Sequence, residues 1–366
     1  MSHRLVALGA ATAVIAVVAL APVPVAGPTS LASFVGVAEA SGEGGQAPTA
    51  AKAKAPANTA AAKPYTVPHT PWGDPDLQGI WNNATSTPLQ RPEKFGDKSV
   101  LAEDEAEQFE EELAKNQNRD NRNGGPEAQV IAGYNEFWMD ARRLELLKDH
   151  RTSLIVDPPG GRMPPRLPPT PEVEKARAAR AEAQARVNAG MPNDPEDFGV
   201  GVRCIVRNDA PPHLSALYNN DFQIFQSPGY VAIQAEMIHS ARVIPLDGRP
   251  HLGNAIRQWQ GDARGHWEGS TLVLETSNFR KDEGATYQNA NPDSFKLVER
   301  FTRLDADHIE YEFTVSDPTT WARPWTARIP WKKADGEIYE YACHEGDYDI
   351  LHVLKMARKL EKAGER

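Results

Sequence analysis

The residues that could carry acid–base chemistry are histidines lying beside carboxylates in the C-terminal half of the chain. His344 and Glu345 follow Cys343, at the end of a predicted strand. His239 comes three residues after Glu236, at the end of another predicted strand. A histidine oriented by a carboxylate is a competent general base near neutral pH. These groups are therefore the candidate catalytic residues: His344, His239, Glu236 and Glu345.

Two geometric constraints limit this pairing. Adjacent residues of a strand point to opposite faces, so only one of His344 and Glu345 can point inward. Strands of opposite direction end at opposite rims of a sheet, so His344 and His239 meet only if their strands run parallel or bend. For each histidine the alternative is a structural role, with the ring bonded to the neighbouring backbone.

The chain carries no standard cofactor or nucleophile motif. G-x-S-x-G, G-x-G-x-x-G after a strand, a Walker loop, H-E-x-x-H and C-x-x-C are all missing from the sequence. We therefore expect no nucleotide cofactor. No pair of histidines has helical metal-ligand spacing, so we predict no metal; a site assembled from distant strands is the alternative. The residues considered for it are His239, His251, His266, His344 and Glu345.

A second group of residues could bind a ligand. Arg257, Asp262 and Arg264 form a charged cluster around Trp259 and Trp267. Tryptophan faces stack on sugar, sterol and aromatic rings, while the charged groups could orient a carboxylate or hydroxyl at a polar mouth. A surface ion-pair network is the alternative for the charges, and core packing is the alternative for the tryptophans. The predicted ligand-binding residues are Trp259, Trp267, Arg257, Asp262 and Trp325.

The elements that carry these residues are predicted to be short antiparallel strands. From Ile309 to Val315, apolar and polar residues alternate, which indicates a half-buried strand. Asp335 and Gly336 predict a hairpin turn. A meander of such strands closes into a calycin-like barrel or a sandwich, which hides its edges. The predicted strands are Phe222–Gln226, Tyr230–Met237, Arg242–Leu246, Ser270–Thr276, Lys296–Arg303, His308–Ser316, Arg323–Trp331 and Glu337–Cys343.

The β-domain, residues 201–366, is predicted to lie inside a helical and irregular wrap formed by residues 67–200. Within the wrap, Pro158–Pro171 holds seven prolines and should be an extended strap. Thr170 is the predicted N-cap of the helix that follows. That helix has no apolar stripe, so we expect it to be an exposed excursion. The predicted helices are Leu101–Asn118, Tyr134–Leu147, Pro171–Ala189 and Ile350–Leu360.

The N-terminus has the features of an export signal. Residues 1–40 combine a short basic start, an apolar run from Leu5 to Ala21, and small-residue cleavage points after Ala26 or Ala40. An uncleaved membrane anchor is the alternative. Residues 41–66 are mostly Ala, Gly, Lys, Pro and Thr and are predicted to be a disordered linker. We therefore expect a periplasmic or secreted protein without stable membrane insertion after processing.

Charge and cysteine content narrow the possible partners. The formal net charge of −10 argues against a nucleic-acid partner and against adhesion to an acidic membrane surface. The chain has two cysteines, Cys204 and Cys343. In an oxidising compartment a lone pair of cysteines favours one disulfide, and two separate buried thiols are the alternative.

Six motifs give the chain a family resemblance. They are PWGDPDLQGIWN at 71–82, RTSLIVDPP at 151–159, EMIH at 236–239, IPLDGRPH at 244–251, GHWEG at 265–269 and YACHEG at 341–346. Together they resemble a large uncharacterised family of exported bacterial proteins, over residues 68–358. The segments Trp267–Thr276 and Glu299–Val315 are also similar to strands of calycin-type small-ligand barrels. Such a likeness of fold does not assign an activity.

Three functions follow from these residues. The first is an exported, cofactor-free acid–base enzyme, a hydrolase, lyase or isomerase that acts on a small apolar or ring-shaped substrate in a barrel pocket. The alternative is a non-catalytic periplasmic binding protein that carries a small ligand in the same pocket. The third is an interaction module. An enzyme should bring titratable groups with shifted pKa values together in its pocket, whereas a carrier should have a mostly apolar lining.

Overall fold

Ten antiparallel strands form one sheet that curls into a nearly closed barrel, as seen in a computed structural model that describes residues 65–117, 140, 145–282 and 284–364. This confirms the predicted mainly β fold and its closure. The predicted signal segment and almost all of the linker lie outside the described residues. So does most of the predicted helix Tyr134–Leu147, whose last three residues are not helical.

The sheet consists of two antiparallel meanders that a single short strand joins. The strands are β1 Gly79–Asn82, β2 Ile155–Asp157, β3 Asp221–Ser227, β4 Tyr230–Ala235, β5 Ala241–Pro245, β6 Asp262–Glu268, β7 Thr271–Ser277, β8 Lys296–Arg303, β9 His308–Ser316 and β10 Trp325–Lys333. Their order is β5-β4-β3-β1-β10-β9-β8-β7-β6, and β2 also pairs with β10. Strand β1 therefore lies between β3 and β10 and joins the two meanders. The end strands β5 and β6 approach each other where the barrel nearly closes.

Alternation along the strands builds the core inside the barrel. In β9 the inward residues from Ile309 to Val315 are fully buried, and the intervening residues are only half-buried. Strands β8 and β10 follow the same pattern. The core is rich in aromatic rings: Phe222 stacks on Trp331 with ring centroids 4.8 Å apart. These contacts explain why the period-two prediction is correct for β9.

The described part of the chain has four α-helices outside the sheet. They are α1 Glu103–Gln117, α2 Pro171–Asn188, α3 Cys343–Gly346 and α4 Asp349–Ala363. The predicted start of α2 is confirmed, because the Thr170 side chain accepts a hydrogen bond from the Val173 backbone N–H and Pro171 is the first helical residue. No helix in the described part of the chain is both long and apolar enough to cross a membrane.

The predicted strand Glu337–Cys343 and its hairpin turn at Asp335 and Gly336 are wrong. Residues 337–342 have no regular structure, and Cys343 begins the short helix α3. The reason lies in the pairing of β10. One edge of β10 is bonded to β9, and the other is occupied by β1 and β2, so no edge is left for a hairpin partner. Strands β1, β2 and β6 were not predicted.

The predicted disulfide between Cys204 and Cys343 is confirmed. The two Cα atoms lie 5.8 Å apart, and the bond closes a sequence separation of 139 residues. It ties the segment just after the N-terminal wrap to the start of the C-terminal helices. Near it, Arg358 of α4 donates hydrogen bonds to the carbonyl oxygens of Pro192 and Asn193.

We predict that removing this bond with the double substitution Cys204→Ser and Cys343→Ser lowers the free energy of unfolding by about 4–5 kcal/mol. The physical reason is that a chain freed from such a long loop gains conformational entropy when it unfolds. Chemical denaturation of the two proteins measures the difference. Cys343→Ser alone should lose as much, since it removes the same bond. Two alkylatable thiols in the native wild-type protein would contradict the assignment.

Candidate functional site

The structure does not bring the predicted catalytic histidines together. His344 and Glu345 lie exposed on helix α3, because the strand expected to carry them does not form. His239 is exposed at the end of a 3-10 turn, with its Nε2 atom 3.0 Å from Gln234 Nε2. No hydrogen bond or ion pair between described residues joins His344 to His239 or Glu236. The catalytic role of these residues stays a prediction.

Glu236 is the predicted catalytic residue with an altered pKa. It is half-buried at the end of β4, and its backbone N–H donates to the carbonyl oxygen of Asp221. Burial raises the pKa of the Glu236 carboxyl, and the charges of Asp221 and Asp140 raise it further, against a hydrogen bond from Asn219 that lowers it. Its surroundings thus favour the protonated form more than water does.

Trp325 packs in the core, which corrects its assignment to a ligand-binding opening. It is fully buried, and its ring makes edge contacts with Phe313 and Trp321, whose centroids lie 5.6 and 6.2 Å away. The reason is its inward position on β10, which the alternation of that strand dictates. Trp267 is half-buried and also packs against the core.

The predicted charged cluster separates into two networks. Asp262 is buried and binds Arg264 at 2.6 Å and the His251 Nδ1 atom at 3.0 Å. Arg257 instead donates to the carbonyl oxygen of Phe279 and pairs with Asp293 at 2.5 Å. All three charged residues, Arg257, Asp262 and Arg264, are therefore engaged within the protein. Among the described residues, no group of three or more His, Cys, Asp or Glu side chains could hold a metal ion.

Trp259 is the predicted ligand-binding residue that lines a large cleft. This cleft, called the α2 cleft below, has a volume of about 850 Å³ and lies between α2, the segment 196–205 and the loop 280–289. The Arg280 guanidinium lies 4.8 Å from the centre of the Trp259 ring. Its charged lining residues are Arg180, Arg186, Arg203, Arg280, Glu196, Asp197 and Asp282.

An ion pair between a part-exposed guanidinium and a buried carboxylate joins α2 to the segment 196–205. Arg186 donates two hydrogen bonds to the Asp197 carboxylate, at 2.5 and 3.0 Å, and the Asn193 backbone N–H donates a third at 2.7 Å. Arg186 lowers the pKa of Asp197, and Asp197 raises the pKa of Arg186. Both shifts keep the pair ionised. The prediction that α2 is exposed is confirmed, since Ala183 is its one buried residue. These polar contacts attach it to the rest of the chain without an apolar stripe.

The loop 280–289 forms the opposite wall and is fixed by its own side chains. Arg280 binds Asp282 at 2.7 Å, and Asn289 Oδ1 accepts a hydrogen bond from the Gly284 backbone N–H at 2.8 Å. Asn289 has a φ of 54°, a conformation that asparagine tolerates better than most residues. It lines the α2 cleft and three neighbouring clefts, so the loop is the shared wall of them all.

A second cluster of polar groups is buried inside the barrel. Arg242 on β5 donates two hydrogen bonds to the Glu299 carboxylate on β8, at 2.8 and 3.0 Å. Tyr311 donates its hydroxyl to Glu299 at 2.9 Å and accepts the His213 backbone N–H at 3.1 Å. Arg242 also donates to His213 Nε2 at 3.0 Å. All four side chains are buried, and none of them lines the described clefts.

The electrostatics of this cluster keep His213 neutral. Burial lowers the pKa of His213 well below its usual value, and the Arg242 charge lowers it further. Burial and the Glu299 charge raise the pKa of Tyr311 well above its usual value. His213 Nε2 accepts from Arg242, so its proton sits on Nδ1. Among the described residues, this buried Nδ1 has no hydrogen-bond partner, and neither has Arg242 Nε. The cluster is therefore a fixed ion pair flanked by neutral groups.

This cluster was not predicted, although the sequence carries a signal for it. In β8, Glu299 falls on the same face as Leu297 and Phe301, and in β5, Arg242 falls on the same face as Ile244. A charge at an apolar strand position predicts a buried partner of opposite charge. The α2 cleft had no comparable signal, because its walls come from three separate segments.

We predict that His213 makes the protein less stable as the pH falls below about 6.5, the usual pKa of an unfolded histidine. The unfolded chain then binds a proton that the folded chain excludes, so the free energy of unfolding falls by up to about 1.4 kcal/mol per pH unit. His213→Gln, which keeps a hydrogen-bond acceptor, should remove this slope between pH 6.5 and 5. Denaturant titrations at several pH values measure it, with the exposed His266→Gln as control. Equal slopes in wild type and His213→Gln would contradict the assignment.

Comparison with protein-family models, with curated proteins and with solved structures found no match. The resemblance to a family of exported bacterial proteins therefore stays a prediction, and the function must be argued from the geometry of the chain itself.

Proposed function

We propose that this chain is a small-ligand binding protein of the periplasm or the extracellular space, which holds a ring-shaped ligand in the α2 cleft. The observation that carries the proposal is the cleft itself, a space of about 850 Å³ with a tryptophan in its wall. Pockets that bind small molecules have volumes of about 300–1,000 Å³.

Trp259 supports a stacking role. It is half-buried, lines the cleft and is covered on one side by the Arg280 guanidinium. A cation held near the ring fixes its orientation, as does burial of part of its surface. A rigid aromatic face binds rings at a low cost in conformational entropy.

The protonation chemistry of the cleft favours binding over catalysis. Asp197 and Arg186 line the cleft, and both pKa shifts move away from neutrality. A general acid or base needs a pKa near the working pH. The lining mixes arginines with alanines, Phe198 and Val200, so it is more polar than expected of a carrier of apolar molecules. A ligand with polar or anionic groups around its ring suits it best.

The disulfide supports the proposed location. Bonds between cysteines persist in oxidising compartments such as the periplasm and are rare in the reducing cytosol. The bond between Cys204 and Cys343 also anchors the segment 196–205, which forms one wall of the α2 cleft. In this proposal, the α2 cleft therefore keeps its shape only while the disulfide is intact.

We predict that Trp259→Ala weakens ligand binding about tenfold, which corresponds to about 1.4 kcal/mol, because it removes the stacking surface. Saturation-transfer NMR with a library of sugars, sterols and aromatic acids identifies binders, and titration of each gives its dissociation constant. The control is Trp72→Ala, an exposed tryptophan bonded to Asp74 away from the cleft. Binders that lose no affinity in Trp259→Ala, or a library without any binder, would contradict the proposal.

A second candidate is the acid–base enzyme, which the raised pKa of Glu236 favours. A carboxyl with a raised pKa can be protonated closer to neutral pH and so act as a general acid or base. It would serve a hydrolase, lyase or isomerase without a cofactor. Glu236 is not among the residues that line the α2 cleft, so the two candidate functions can be tested separately.

We predict that Glu236→Gln stabilises the protein at pH 7 and not at pH 4. The raised pKa means that ionised Glu236 costs stability, and this cost grows as the pH rises from the unfolded pKa through the folded one. Thermal midpoints at the two pH values measure it, with Glu310→Gln on β9 as control.

A separate activity test decides whether Glu236 is catalytic. Turnover of a metabolite from a cell extract by the wild type that is lost in Glu236→Gln would support the enzyme. Equal turnover by the two proteins would exclude Glu236 as its acid or base.

A further inference from the structure

One arginine of α2 is unpaired within the described part of the chain. Arg177 makes no hydrogen bond or ion pair with any residue that the structure describes, and its side chain is exposed. It lines two adjoining clefts, one of about 200 Å³ shared with Lys281 and one of about 210 Å³ shared with Arg166. Other cations nearby are neutralised: Lys281 binds Asp293 at 2.8 Å, and Arg280 binds Asp282.

Arg166 faces the same cleft from the proline strap. Its guanidinium lies 5.5 Å from the centre of the Trp321 ring and donates to the carbonyl oxygen of Gln288 at 3.3 Å. It has no ion pair in the described part of the chain. These contacts hold the Arg166 head group in place and leave its charge without a bonded carboxylate.

The carboxylates around this cleft are already engaged. Asp317 accepts hydrogen bonds from Ser294, Thr319 and the Asn291 backbone N–H. Glu172, the carboxylate in the lining, is held at the start of α2, where its own backbone N–H and Thr170 lower its pKa. Their charges partly offset the two arginines, yet none of their oxygens bonds to either guanidinium.

The rest of the lining offers neutral hydrogen-bonding groups. Side chains with hydroxyl or amide groups surround the two arginines: Thr170, Thr319, Thr320, Asn289 and Asn291. A guanidinium presents a planar fork of N–H donors that matches the oxygens of a carboxylate, sulfate or phosphate. Two such forks lie in one small cleft, and neither is bonded to a carboxylate.

We propose that Arg166 and Arg177 bind the oxyanion group of a small molecule in the cleft between the proline strap and α2. Two nearby cations repel each other, and a bound anion relieves this repulsion. Burial lowers the pKa of Arg166, and the charge of Arg177 lowers it further, against the charge of Asp317, which raises it. This site does not depend on the proposed role of Trp259. It goes beyond that role because it assigns a negative charge to the group that binds in this cleft.

The test measures binding of acetate, sulfate and phosphate separately to the mature chain. The arginine Nε–H groups are followed by NMR, with sodium chloride of equal ionic strength as reference. We expect at least one oxyanion to produce a saturable shift, and Arg177→Gln or Arg166→Gln to weaken that binding at least tenfold. Arg328→Gln, which removes an exposed arginine paired with Glu312, should leave it unchanged. Acetate and the tetrahedral anions distinguish a carboxylate site from a phosphate or sulfate site.

Two further readouts separate the site from a structural role and from the α2 cleft. Without oxyanion, Arg177→Gln should not lower the thermal midpoint, because Arg177 stabilises nothing in the described fold. Trp259→Ala should keep the oxyanion affinity of the wild type. The proposal is overturned if no oxyanion binds wild type more than chloride does, or if Arg177→Gln binds it equally well.

Discussion

The buried ion pair between Arg242 and Glu299 is the interaction on which the closure of the barrel depends. Strand β5 ends one meander and β8 belongs to the other, so the pair spans the interior near the gap between β5 and β6. Taking two charges out of water costs several kcal/mol, and only good geometry with further hydrogen bonds offsets this. Tyr311 and His213 supply those bonds. Losing one partner would leave an unpaired charge in the core.

The same cluster determines where the irregular segment before β3 can lie. His213 is held between the aromatic rings of Phe222 and Tyr311, with centroids 4.6 and 5.9 Å from its own. Residues 196–205, earlier in the same segment, form one wall of the α2 cleft. A rigid scaffold thus positions clefts made of loops, as is common for binding sites.

Charged side chains line the clefts around α2, and ion pairs hold two of the segments that form them. Arg186 with Asp197 holds α2, and Arg280 with Asp282 shapes the facing loop. The arginines that are bonded to carboxylates have a structural role. Arg166 and Arg177 have no bonded carboxylate in the described chain, so they can pair with an anionic ligand. In the proposed function, the distribution of charge around the clefts, more than the barrel itself, selects the ligand.

The sequence by itself determined the elements whose signals are local. Alternation predicted β9, Thr170 and Pro171 predicted the start of α2, and two lone cysteines predicted their bond, because each pattern involves neighbouring residues or a count. Only the tertiary structure decided what depends on distant partners. Strand β1 has four residues and forms because β3 and β10 flank it. The same pairing leaves no edge for a strand at 337–343, which moves His344 to the surface. Pairing across the chain is set by closure of the whole sheet, and no local pattern encodes it.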